Sequence, residues 1–266
     1  MRRALLALAT LALSASGFAL DHTHKAWDDL LKKHVRYVED GNASRVSYAG
    51  FAKDRAALKA VLDDYSKVAR PEFDGWTKPQ QQAFLYNAYN AFTIEKVLTR
   101  YPAIKSIRDF GTVFGNPWKD KFFTLFGQPA YLDLIEHEIL RREGAYDDPR
   151  VHVAVVCASI GCPMLRDAVF NAERLEAQLD DAMRRFMSDR TRNRYNREAR
   201  RLEVSRIFDW YGKDFEKGHK GYTTLKATLA RYADQLAERP EERALVREQK
   251  ADIAFLDYDW GLNDAR

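Results

Sequence analysis

Cysteine is scarce: the 266 residues hold only two, Cys157 and Cys162. That number excludes a disulfide-stapled scaffold and a four-cysteine metal module. Proline (8) and glycine (13) are too few for a collagen-like or low-complexity chain. No charge of one sign dominates, with 43 Lys and Arg against 39 Asp and Glu. Arg2 and Arg3 account for two of those cations, and the small remainder gives no polyanion signal, so no nucleic-acid partner is expected. After the N-terminus no stretch approaches the roughly 18 apolar residues a membrane helix needs, so the mature chain is expected to be soluble. What is present is a 46% hydrophobic and 12% aromatic composition, enough to bury a sizeable core at a length suited to one domain.

The first nineteen residues read as a secretory signal peptide. Arg2-Arg3 is followed by an apolar run from Ala4 to Leu13 broken only by Thr10. Gly17-Phe18-Ala19 offers small residues where a signal peptidase needs them. Cleavage is expected after Ala19, leaving residues 20–266 as one globular domain in the periplasm or the medium.

Along the mature chain, helical spacing dominates. Trp27, Leu30, Leu31, His34 and Val35 form one apolar stripe, and Leu58, Val61, Leu62 and Tyr65 form another behind Asp54, with Pro71 as its stop. Val46-Ser47-Tyr48 is a short β-prone piece. Thr77 with Gln80 opens a long helix whose apolar residues run almost all round it, predicting a central position. Residues 103–120 read as loop, with Gly111, Gly115 and Asn116-Pro117. Phe122–Leu132 reads as a hairpin around Gly127, and Asp133 with Glu136 as the capped start of a helix. Val151 to Cys157 is the most β-prone run in the chain. Asn171 caps a helix through Met187, residues 190–204 form a surface ribbon, and two helical stretches precede an aromatic tail at Ile253–Trp260. The fold class predicted is a helix-rich α+β domain around a small β-sheet.

The chemistry concentrates at Val151–Pro163. If Pro163 opens a helix, Cys162 is its N-cap and the helix dipole favours its thiolate. Cys157 would end the strand. Three readings of the pair stand: a thiol nucleophile, a disulfide, and, for Cys157, a small buried hydrophobe. An extended segment would hold the two Cα atoms roughly 16 Å apart, so a disulfide requires a turn at Ser159-Ile160-Gly161. His137 is the best base for a thiol, and the Cys–His pair is the minimal cysteine-hydrolase centre. Alternatively it is a capping-region histidine paired with Glu138 or Asp133. His152 would face away from Cys157 across the strand and act as a core or hydrogen-bonding group. A zinc site from His137, His152, Cys157 and Cys162 matches no standard spacing. Asn87 and Asn90, three apart on the apolar helix, either brace the backbone or, for Asn90, orient a catalytic histidine. The Arg-rich stretch from Arg184 to Arg201 reads as a solvated face, and Trp210-Tyr211 with Asp214-Phe215 as an aromatic brace.

Several motifs in order carry a resemblance: Phe84-Leu85-Tyr86-Asn87-Ala88-Tyr89-Asn90-Ala91, Glu136-His137 with Leu140-Arg141, His152 through Pro163, Ser205–Tyr211, Asp214-Phe215 and Tyr258–Asn263. Over about residues 46–263 the chain resembles the family called domain of unknown function 547. The resemblance implies exported bacterial members and a pattern including Glu136, His137, His152 and Cys157, with Ser at the position of Cys162 in plant-like members. A helix packed on a small sheet with Cys and His is also the general plan of papain- or transglutaminase-like hydrolases, a fold-level analogy. Two functions are therefore carried forward. The first is an exported thiol-dependent hydrolase or acyltransferase acting on an amide or thioester of a small molecule or peptide, without cofactor. It uses Cys157 (or Cys162) as nucleophile, His137 as base and Glu136 or Asn90 as orienter. The second is a non-catalytic envelope binding domain with structural Cys and His. A redox role for the cysteine pair stands behind both.

Overall fold

A computed structural model of the chain describes residues 19–111 and 116–265. Apart from Ala19, the predicted leader lies outside the described residues, as does Gly115 of the predicted loop.

The N-terminal part follows the apolar spacing closely. Helix α1 (Lys25–His34) buries Trp27, Leu30, Leu31 and His34. Strands β1 (Val35–Val38) and β2 (Ala43–Val46) pair antiparallel, with Val35 opposite Val46. Tyr48, expected in a β-prone piece, instead starts α2 (Tyr48–Lys53), because the Ser47 hydroxyl accepts from the Gly50 N–H and caps a helix there. Helix α3 (Arg55–Lys67) buries the stripe Leu58, Val61, Leu62 and Tyr65. It stops before Pro71, which sits in the first turn of α4 (Arg70–Asp74).

Helix α5 (Lys78–Leu98) is the axis of the molecule. Thr77 and Gln80 form the capping box at its start, and every residue from Gln81 through Ile94 is buried. A helix buried all round must be surrounded, and the remaining elements supply the walls. Strands β3 (Phe123–Leu125) and β4 (Gln128–Ala130) form a hairpin whose turn, Phe126-Gly127, has positive φ at both residues (53° and 74°). A π-helix (Leu134–Leu140) follows. Its position agrees with the helix expected after Asp133, but Asp133 makes no capping bond.

The main correction is at Val151–Cys157. This run is not a strand: α6 (Val151–Ala154) is a single helical turn, after which the chain is irregular through Cys157. Intrinsic β preference spans only about 1 kcal/mol. Full burial of one such apolar side chain is worth roughly 1.5–3 kcal/mol, and a helical turn lets this segment bury side chains in two directions. Val151 and Ala154 enter the N-terminal core, while Val153 enters a second core built from the C-terminal third. A second correction concerns Pro163. No helix starts there, so Cys162 is not an N-cap; the next helical turn is Ala172–Arg174, capped by Asn171 and continuous with α7 (Leu175–Ser188).

Beyond α7 the chain forms β5 (Arg194–Asn196), β6 (Arg201–Val204), α8 (Ile207–Trp210), α9 (Leu225–Ala230), α10 (Ala233–Leu236), α11 (Pro240–Arg247) and β7 (Asp252–Phe255). Strand β6 is central, antiparallel to β5 and parallel to β7. The architecture is thus helix-rich α+β, its small sheet element divided among two two-stranded ribbons and one three-stranded sheet. The Arg-rich stretch is largely spent on internal pairs: Arg184 and Arg185 on Asp181, Arg194 and Arg201 on Glu203, Arg197 on Glu242. No helix among the described residues is long and apolar enough to cross a membrane.

Candidate functional site

The seam between the two cores, where α6 sits, encloses a cavity of about 300 Å³. Its wall contains Cys157, Cys162, Glu136, His137 and His152, brought together from separate parts of the sequence. Asn90 is not in that wall.

Asn90 works from behind. Its amide donates from Nδ2 to the Ala154 carbonyl at 2.9 Å and accepts at Oδ1 from the Val156 N–H at 3.0 Å. It therefore grips the backbone on both sides of Val155, as a strand partner would, and satisfies groups that would otherwise be buried and unpaired. The brace reading of Asn90 describes this geometry; an Asn90 that orients an imidazole does not.

The cysteine turn is held from two further sides. The C-terminal tail lies along it, with Ile160 N–H bonded to the Gly261 carbonyl (2.7 Å), Gly161 N–H to the Asp259 carbonyl (2.8 Å) and Asn263 N–H to the Ala158 carbonyl (3.0 Å). Gly161 is needed for this approach, since a Cβ there would stand 3.0 Å from the Asp259 backbone and the Tyr258 ring. Arg192 donates from Nε to the Ile160 carbonyl at 3.0 Å. Between the cysteines, Ala158 has φ of 64°, a left-handed conformation rarely adopted by a residue with a Cβ and found enriched at functional sites.

This turn brings the sulfurs of Cys157 and Cys162 to 3.2 Å as free thiols. The two are not equivalent. The Cys157 sulfur is surrounded by donors: the Cys162 thiol, the Tyr258 hydroxyl at 3.1 Å and the Ser159 hydroxyl at 3.5 Å. The hydrogen bond from Cys162, supported by those of Ser159 and Tyr258, lowers its pKa to about 6 against the opposing effect of burial. Burial pushes the Cys162 thiol well up, so it keeps its proton and donates. Burial likewise keeps the Tyr258 hydroxyl protonated and able to donate. Of the two sulfurs, Cys157 is the one whose surroundings favour a thiolate, and the dipole argument for Cys162 fails with the missing helix.

The same wall carries two imidazoles with different free edges. Arg141 Nη1 donates to His137 Nδ1 at 2.6 Å, and a guanidinium can only donate, so the His137 lone pair is occupied and its ring proton lies on Nε2. Nε2 points towards Asp133 Oδ1 at 3.6 Å. His152 has the reverse arrangement. Its Nε2–H donates to Asp214 Oδ2 at 2.8 Å, which leaves Nδ1 as an acceptor 3.9 Å from Glu136 Oε1. Burial lowers the His152 pKa to about 4, so the ring is neutral, and it stacks on Tyr211 with centroids 4.0 Å apart. Burial works against ionisation of Asp214, yet the bonds from His152 and Arg141 hold its carboxyl well below the ordinary range. Burial raises the Glu136 pKa; its Oε2 accepts from the Tyr89 hydroxyl at 3.0 Å.

Strand alternation had set His152 facing away from Cys157. With residues 151–154 helical, both line the same cavity. Neither ring, however, hydrogen-bonds a sulfur: the partners of the Cys157 sulfur are Cys162, Ser159 and Tyr258. Sequence reasoning missed Asp214, which it assigned to an aromatic brace, and the tail residue Tyr258. Their only early signal was membership of the motifs Asp214-Phe215 and Tyr258–Asn263. Among the described residues, no group of three or more His, Cys, Asp and Glu side chains is arranged to hold a metal ion.

No curated protein and no solved structure matches the chain. Residues 73–187, from α4 through α7 and including α5, the π-helix and the cysteine turn, match the model of the family described as "Protein of unknown function, DUF547". Over that segment the chain is similar to the DUF547 family.

Proposed function

We propose that the cavity is the centre of a thiol-dependent acyl transfer, a hydrolase or acyltransferase acting on an amide or thioester. The observation that carries this reading is the donor-rich environment of the Cys157 sulfur, which favours its thiolate inside an accessible hollow shared with His152, His137 and Glu136. Because neighbouring donors stabilise the thiolate, the nucleophile needs no imidazole in contact with it. The cavity between sulfur and rings is then the space for the acyl group.

Attack of the Cys157 sulfur on the acyl carbon forms the C–S bond and expels the leaving group. A leaving nitrogen takes its proton from Glu136, whose burial favours the protonated form. The His137 Nε2–H is the free imidazole donor, suited to the developing oxyanion. In the second step water, or an amine acceptor, gives its proton to His152 Nδ1 as it bonds to the acyl carbon, the Cys157 thiolate is restored, and the proton passes from His152 to Glu136 Oε1, 3.9 Å away, resetting both groups. Asp214 holds the His152 tautomer that leaves Nδ1 basic, the orienting role first considered for Glu136 or Asn90. The base is thus His152 rather than His137, whose lone pair Arg141 occupies.

Alkylation of the native protein by iodoacetamide across pH tests the reading. A midpoint near 6 at Cys157 supports it, whereas a midpoint near the ordinary value of about 8.5 sinks it and favours a binding domain with structural thiols.

The 3.2 Å separation of the sulfurs favours a second reading, a redox pair. Two thiols would pass two electrons and two protons to a hydroperoxide, closing a disulfide and releasing an alcohol and water. Titration of free thiols before and after one equivalent of hydroperoxide, with reactivation by dithiothreitol, checks it.

We also propose that the protein works outside the cytoplasm, on the strength of the Arg2-Arg3 and Ala4–Leu13 leader pattern. Leu20 is buried and its N–H lies 3.3 Å from Glu72 Oε1, so cleavage after Ala19 would set a new ammonium beside a carboxylate. N-terminal sequencing of the exported fraction should begin at Leu20; a chain beginning at Met1 overturns this.

A further inference from the structure

The cavity wall carries two acid side chains, Asp133 and Glu136, among several neutral hydrogen-bonding groups. Tyr258 spends its hydroxyl on Cys157, Tyr89 its own on Glu136, and the Asn116 amide donates to Asp133 Oδ2 at 3.2 Å while accepting from the Trp118 N–H. The acceptors left on the wall are Glu136 Oε1, His152 Nδ1, Asp133 Oδ1 and the Cys157 sulfur, beside the neutral donors of His137, Tyr211 and the three indoles. Among the described residues no Lys or Arg lines the cavity. Of the cations nearby, Arg141 is committed to Asp214 and His137, Arg108 lies over the Trp260 ring at 5.1 Å, and the Lys119 charge acts on Asp133.

The mouth is aromatic. Trp260 contacts Trp118, Trp210 and Tyr258, with centroids 6.0, 5.6 and 4.5 Å away. Trp210 is 45% exposed, although monomeric proteins usually turn such a ring inward. Indole faces attract a cation through their quadrupole, and unsatisfied acceptors attract its N–H groups. Both halves of the wall therefore ask for the same group.

We propose that this cavity recognises the ammonium group of an amine-bearing ligand, held between the Trp118, Trp210 and Trp260 rings and the Asp133 carboxyl, with Glu136 Oε1 as a neutral acceptor. This deepens the acyl-transfer reading by naming the amine side of its substrate, and it rests on that reading only for the ligand's part in the reaction.

The test uses the full mature chain carrying Cys157→Ser, titrated with butylammonium, 1-pentanol, butyrate and a short neutral oligosaccharide, followed by calorimetry and tryptophan emission. Butylammonium is expected to bind at least tenfold more tightly than 1-pentanol, with butyrate weaker still. Asp133→Asn and Trp210→Ala should each weaken it about tenfold. Trp210 is exposed, so its variant tests the site even if the Asp133 variant fails to fold. Equal binding of the ammonium and the alcohol, preference for butyrate or the oligosaccharide, or no effect of Trp210→Ala overturns the proposal. The alkylation midpoint of the unsubstituted protein, measured without ligand, reports on the thiolate separately, so either idea can fail alone.

Discussion

Asn87 and Asn90 stand three residues apart on α5 and perform the same local chemistry on two different segments. Asn87 donates to the Phe170 carbonyl at 2.8 Å and accepts from the Phe170 N–H at 3.0 Å. Asn90 does this to Ala154 and Val156. Each amide replaces a missing strand partner for an irregular, buried stretch of backbone. They differ in what hangs from the clamped segment. Phe170 is a core side chain against Tyr86, whereas Val156 immediately precedes Cys157, and α6 on the other side carries His152. One helix face thus fixes a wall of the core and the floor of the candidate site with a single device.

The sharpest way to use the comparison is to remove what only the Asn90 segment carries. Cys157→Ala should abolish iodoacetamide labelling at pH 7 and any turnover, and Cys162→Ala should leave labelling but move its midpoint up from about 6, since Cys162 is the largest stabiliser of that thiolate. Labelling that survives intact in Cys157→Ala would mean that the reactive sulfur is not this one.

Next come the asparagines themselves. Asn87→Ala and Asn90→Ala each strand two buried backbone groups, so each should lower unfolding stability by about 2–4 kcal/mol in urea titrations. Only Asn90→Ala should also raise the alkylation midpoint of Cys157. If both variants raise it equally, the clamps are not separable and the contrast drawn here dissolves.

The pH dependence of stability sharpens it further. His152 is held neutral in the fold with a pKa near 4, against 6.5 when unfolded. Between those values the unfolded chain binds a proton that the native chain refuses. Stability should therefore fall as pH drops from about 6.5 to about 4, by up to about 3 kcal/mol from this group, and be independent of it above that window. His24, also buried and lowered to about 4 mainly by burial, adds a similar slope from the N-terminal core. His152→Gln should remove part of the slope, and His24→Gln another part. Asn90→Ala should reduce the His152 part by loosening α6, while Asn87→Ala leaves it. Thermal melts at a series of pH values read all four.

The smallest effect expected is that of Tyr258→Phe. It removes one of three donors to the Cys157 sulfur and should raise the alkylation midpoint by less than Cys162→Ala does. A larger shift than that of Cys162→Ala would reverse the order of the two donors.

The long-range pairings that build the site explain why part of it was not legible in advance. Asn90 reaches Ala154, His152 reaches Asp214 and Cys157 reaches Tyr258, each across more than sixty residues. Periodicity carries information over one or two turns, which is why α1, α3, α5 and α7 and their buried faces could be read directly. It could place Glu136 and His137 on a helix and group the cysteines in one turn. It could not say that Arg141 would occupy the His137 lone pair, nor that a run of valines would coil once to serve two cores.

What the chain's own letters determined is its helix-rich class, the central position of α5, the hairpin at Phe126-Gly127 and the identity of most groups that meet in the cavity, because burial periodicity and turn chemistry are local. Which sulfur is surrounded by donors and which imidazole keeps a free nitrogen was decided only when the tail, α5 and the 205–215 segment closed around α6. Hydrogen-bond partners set those properties, and here every decisive partner but Cys162, Ser159 and Arg141 comes from a distant part of the sequence.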